Sequence, residues 1–146
     1  MIGHLPEQAA AFTALFARVE HVMIRNGYAR SDQKLAFADW QKLARELGDS
    51  FYEEVRISAL AETLLAEPPR VYHREKGFLP LVQEPIVDVV QLFTRGVCQV
   101  RHNIVHGQKF VEQATPRDHA LVQEAEVVLA KALRRHPVLK GFFAET

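Results

Sequence analysis

Hydrophobic residues recur at helical spacing along almost the whole chain. Phe12, Leu15, Phe16, Val19, Val22 and Met23 fall three and four positions apart, and Gly27 stands where a left-handed residue closes a helix. A second stripe, Ala36, Trp40, Leu43 and Leu47, runs from a Ser31-Asp32 start to Gly48. Ser50-Phe51-Tyr52-Glu53 has the capping-box arrangement, in which serine oxygen and glutamate carboxylate each satisfy an amide that no helical carbonyl reaches. A third helix is expected from there through Val55, Leu60 and Leu64 to Pro68-Pro69, where neither proline can donate a helical hydrogen bond. Pro85 is placed to be the first residue of a fourth helix, with the stripe Ile86, Val89, Val90, Phe93, Val97, Val100 and Ile104 and an end at Gly107. Thr115-Pro116-Arg117-Asp118 opens a last helix, buried through Leu121, Ala125, Val128 and Ala132 and closed by Pro137. No strand-like alternation, internal repeat or low-complexity tract competes. The pattern predicts an all-α fold, an antiparallel helical bundle of about five helices, with residues 1–146 as a single domain.

Composition narrows the partners. At 146 residues, 48% hydrophobic and 25% charged, the chain has the make-up of one soluble globular domain. Eighteen basic and eighteen acidic residues cancel, so no global positive field holds nucleic acid, and RNA would need local patches. The single cysteine, Cys98, lies beside Val97 in an apolar run; it can form no intramolecular disulfide and is expected to be an inert buried thiol, which fits a reducing cytoplasm. The apolar stretch from Ala9 to Ala17 follows Glu7 rather than a basic segment and continues as an amphipathic helix, so no secretion signal is expected. No window reaches the roughly 18 apolar residues of a membrane span. The long connection from Glu67 to Glu84 carries Arg70, His73, Arg74 and Lys76 among Tyr72 and Phe78. Its cations suit RNA phosphates, with Tyr72 stacking on a base, although solvated loop charges are the commoner occurrence.

The fourth helix carries the chemistry. At 100° per residue Arg95, His102 and His106 share one stripe opposite the buried face, whereas Arg101 lies about 140° around from His106. A joint Arg101–His106 site therefore needs the helix to end or distort between Asn103 and Gly107, a reach by the long arginine, or a second copy of the chain. RNA carries its own nucleophile, the 2′-hydroxyl. Cleavage needs a base near neutral pKa, an acid for the leaving 5′-oxygen and a cation for the phosphate. An imidazole and a guanidinium supply these, with His102 or Asn103 orienting phosphate or base. The bland alternative is a cation pair at a helix end, favoured by the helix dipole. His102 and His106 also have a spacing that clamps a metal ion, but residues 101–106 hold no Cys, Asp or Glu as third ligand, so neither metal nor other cofactor is expected.

Arg101-x4-His106 resembles the Arg-x(4–6)-His motif of the HEPN superfamily. The spacing recurs at Arg95-x6-His102, so the surroundings carry the resemblance: His102 follows the arginine where the family has Asn, Asp or His, the motif ends a long apolar helix, and Arg-His-Asn-Ile-Val-His-Gly before Gln-Lys-Phe is similar to the family's Arg-Asn-Asn-Leu-x-His-Gly-Gly-Lys run. The resemblance implies a ribonuclease built as a helical bundle that forms a homodimer with facing motifs; attack by the 2′-hydroxyl would itself need no metal and leave a 2′,3′-cyclic phosphate. The resemblance implies Arg101 and His106 as catalytic residues, with His102 and Asn103 as supporting polar groups; the basic positions Arg95, Arg70, Arg74, Lys76 and Lys109, with Tyr72, are candidate RNA contacts on their own chemistry, although solvated charges are the commoner occurrence. The resemblance further implies a toxin or defence effector, with an antitoxin or regulatory protein as partner. Gln108 departs from the pattern, because toxins paired with a nucleotidyltransferase usually carry tyrosine there; regulation through that residue is not expected. The competing expectation is a catalytically silent helical module that binds RNA or protein through the same face.

Overall fold

The computed structural model describes residues 5–30, 37–73, 77–78, 83–106 and 114–144. Among these residues six helices form the body of an all-α fold. Helix α1, Leu5–Arg25, carries Phe12, Phe16, Val19 and Met23 on its buried face, and Gly27, at φ 89°, turns the chain out of it. The chain then makes a small antiparallel pair, β1 (Ala29–Arg30) against β2 (Phe37–Ala38), with Ala29 opposite Ala38. The expected helix start at Ser31-Asp32, with Ala36, falls outside the described residues. Helix α2, Trp40–Ile57, starts instead at Asp39, whose carboxylate accepts the Lys42 amide at 3.1 Å.

The expected break at Gly48 is there: its φ of 77° and ψ of 177° are open to glycine and strained for other residues, and they divide α2. The third predicted helix is corrected. Its first part ends at Ile57, Ala59 adopts φ 56°, and a separate α3, Glu62–Ala66, follows. Leu60, expected in the core, is 38% exposed at this turn, whereas Leu64 is buried. A second small pair, β3 (Tyr72–His73) and β4 (Gly77–Phe78), lies in the long connection. Both ladders are too short for alternation to show in the sequence.

Helix α4 covers 89–106: a first turn Val89–Gln91, a π-helical stretch Leu92–Val97, and a regular α-helix Cys98–His106. It starts four residues later than the Pro85 reading, because Asp88 caps it by accepting the Gln91 amide at 2.8 Å. Ile86 is buried in the preceding extended stretch and donates its amide to the Leu65 carbonyl at 2.8 Å. Gly96 makes that packing feasible, since a Cβ there would meet Ile86 Cδ1 at 3.3 Å and Leu64 Cγ at 3.4 Å. The last long helix, α5 (Pro116–Arg135), begins at the expected Thr115-Pro116-Arg117-Asp118 opening, and the Thr115–Asp118 capping there is reciprocal. His136 follows it, and Pro137 does not simply close the bundle: it opens a sixth helix, α6 (Pro137–Ala144).

An aromatic ladder sets where α4 lies. Trp40 stacks between Phe16 and Phe93, at centroid distances of 4.8 Å and 5.9 Å, and Phe93 in turn stacks on Phe51 at 5.9 Å. These rings join α1, both parts of α2 and the π-helical stretch of α4. Aromatic pairs at such distances add about 0.5–1.5 kcal/mol each beyond their buried area. No helix among the described residues is long and apolar enough to cross a membrane.

Candidate functional site on helix α4

Residues 98–106 remain a regular helix as far as His106, so the described residues contain no distortion that would swing Arg101 and His106 together. Arg101 is half-buried, its guanidinium carbon 5.5 Å from the centre of the Phe16 ring on α1. His102 and His106 are exposed one turn apart, with ring centres separated by 4.6 Å and planes tilted by 44°. Partial burial first, then the charges of His106 and Arg101, hold the His102 imidazole below its usual pKa, which favours its neutral, proton-accepting form. Arg101 therefore acts on His102 electrostatically while its side chain lies against Phe16 of α1. Val105, 48% exposed, continues the open surface of this turn.

Asn103 has a different place. It is 1% exposed, accepts from Gln99 Nε2 at 2.9 Å, and donates from Nδ2 to the Arg70 carbonyl at 2.9 Å. Its carboxamide is engaged inside the protein, where it ties the 67–71 stretch to α4. Arg117 holds the same stretch from the α5 side, Nη2 donating to the Glu67 and Pro68 carbonyls at 2.7 and 2.8 Å. The exposed Arg70 side chain lines an open cleft of about 310 Å³ with Glu67, Gln83, Thr115, Arg117 and Asp118. That cleft is of mixed charge.

Arg95 sits before the regular part of α4, and the intervening π-helical turns, with their i→i+5 bonds, break the 100° step that put it in line with His102. Its guanidinium donates to Gln91 Oε1 at 3.2 Å and to the Glu84 carbonyl. Arg74, Lys76, Lys109 and the expected helix end at Gly107 lie outside the described residues, and of Tyr72 only the backbone, in β3, is described. Burial pushes the Cys98 thiol far up, which keeps it protonated and unreactive.

No family model, curated protein or solved structure matches this chain. Its chemistry has to be argued from its own residues.

One polar cluster escaped the sequence reading. His136, 2% exposed, places Nε2 2.8 Å from Glu46 Oε1 and 3.3 Å from the Tyr28 hydroxyl, and Tyr28 donates to the same carboxylate oxygen. Hydrogen bonds from Tyr28 and His136 hold Glu46 below the usual carboxylate range. Burial, with the neighbouring carboxylate, raises the Tyr28 hydroxyl to about 12. The cluster joins the exits of α1 and α5 to α2. Ninety or more positions separate His136 from either partner, so no local spacing announces it; a histidine just before Pro137 was its one trace.

Proposed function

We propose that this protein is a metal-independent endoribonuclease of the HEPN kind, working as a homodimer and serving as a toxin or defence effector. The observation that carries the reading is the exposed His102–His106 imidazole pair on the last described turn of α4, with the Arg101 charge beside it. A neutral imidazole takes the proton of the 2′-hydroxyl; the 2′-oxygen attacks the phosphorus; a protonated imidazole delivers its proton to the departing 5′-oxygen. The products are a 2′,3′-cyclic phosphate and a 5′-hydroxyl, so atoms and charge balance without a metal. Arg101 stabilises the crowded phosphate, either by leaving Phe16 or by meeting the site of a second copy. The conflict-system role rests on the HEPN resemblance alone, and a neutralising antitoxin or regulatory protein would be the matching partner.

RNA incubated with the purified protein in EDTA is the test. His106→Ala and Arg101→Ala should each reduce cleavage by about a hundredfold or more, with the helical circular dichroism unchanged. Absent cleavage by the wild type, equal cleavage without His106, or loss of activity to the chelator overturns the reading. Sedimentation that finds only monomer at micromolar concentration overturns the homodimer. A silent RNA- or protein-binding module is the second reading, favoured by the way Arg101 lies against Phe16. Retarded RNA migration without cleavage would select it.

A further inference from the structure

We propose that His102 and His106 form a clamp for a zinc-class divalent ion, and that an ion held there switches the histidine pair off. The inhibitory half rests on the ribonuclease reading; the clamp does not. Two residues four apart on a regular α-helix stand one above the other on the same side, and both imidazoles are exposed to an arriving ion. Their ring centres are 4.6 Å apart. An ion bound about 2.1 Å from one nitrogen of each ring, at a right or tetrahedral angle, leaves the centres roughly 4.5–5.2 Å apart. The separation of the centres matches that span, and rotation about the side-chain torsions aims one nitrogen of each ring at the ion.

Ligand type selects the ion. Imidazole nitrogen suits zinc, copper and nickel, whereas magnesium and calcium seek oxygen. Among the described residues no group of three or more His, Cys, Asp or Glu side chains could hold a metal, so two protein nitrogens bind and water fills the remaining positions. Such a site exchanges its ion readily, unlike a four-ligand structural centre. While the ion is bound, the coordinating lone pairs are unavailable to a proton, and neither imidazole can serve as base or acid.

Calorimetric titration of zinc chloride into the full chain tests the clamp. Saturable binding is expected, weakened roughly a hundredfold by His102→Ala or His106→Ala, because each removes the chelate partner of the other. The double variant should bind no better than background, and His21→Ala, an exposed histidine on α1, should match the wild type. Magnesium chloride should give no binding heat. No saturable zinc binding by the wild type, or undiminished binding by the double variant, overturns the proposal. Zinc binding by a protein that cleaves no RNA upholds the clamp and overturns the ribonuclease reading, together with the switch that rests on it. RNA cleavage that zinc leaves untouched while the clamp is filled overturns the switch.

Discussion

The Asn103 side chain donates to the Arg70 carbonyl at 2.9 Å, fastening the stretch beyond Pro69 to the helix that carries His102 and His106. Because the carboxamide is buried and bonded through both its atoms, its removal leaves the Gln99 amide and the Arg70 carbonyl short of partners. Asn103→Ala should cost about 1–3 kcal/mol, read from urea unfolding. Unchanged stability would show that the tie contributes nothing.

Arg117 grips the neighbouring carbonyls, and the two ties share one short stretch of backbone. Arg117→Ala alone should be milder, about 1 kcal/mol, since its side chain is only part-buried. Combined with Asn103→Ala it should depart from additivity by at least about 0.5 kcal/mol, because either tie helps to order the segment that the other needs. Strict additivity in the unfolding cycle would make the ties independent.

His102 is held below the usual imidazole range partly by the charges of His106 and Arg101. Arg101→Gln and His106→Ala should each move its titration upward, towards about 6.5. The Cε1 proton resonance followed against pH gives the answer directly. An absent shift in both variants would leave burial as the whole cause, and a downward one would reverse the sign assigned to the charges.

Tyr28 gives an alkaline signature. Its folded pKa is raised to about 12 from 10.0, so the folded state keeps a proton that the unfolded state loses. That contribution is complete below about pH 10 and is lost as the pH rises towards about 12. Glu46 has the opposite sign: its depressed pKa supports the fold above the unfolded carboxylate value, and the support fades as the pH falls through the folded one. Thermal midpoints of the wild type should approach those of Tyr28→Phe as the pH rises through the alkaline window. A constant gap between them there would contradict the assignment.

Gly48 isolates a purely backbone effect. Apart from its chain neighbours and the nearby backbone of α2, no heavy atom lies within 4 Å of a Cβ built on it, yet its φ is 77° and its ψ 177°. Gly48→Ala should therefore cost about 1–3 kcal/mol of strain without any clash. Denaturant midpoints equal to the wild type would require the break in α2 to have straightened.

Much of the fold was legible because its signals are local. The stripe from Phe12 to Met23, the Gly27 exit, the Gly48 break and the Thr115–Asp118 box each depend on residues within a turn or two, where spacing and capping chemistry act directly. The start of α4 was misread because Pro85 and Asp88 both offer helix-entry signals; burial of Ile86 beside Gly96, with its amide donated to Leu65, holds the chain out of the helix until Asp88. Pro137 likewise permits either an end or a beginning.

For the candidate site, the order Arg101-His102-Asn103 through His106 by itself determined that two imidazoles lie one turn apart and that Arg101 diverges from His106, since helical geometry fixes both. Only the tertiary structure decided what each side chain meets. Phe16 receives Arg101, the Arg70 carbonyl receives Asn103, and His102 is left exposed beside His106. Periodicity tells which way a residue points along its own helix, whereas the partner waiting there comes from a distant part of the chain, brought in by the burial of the aromatic core.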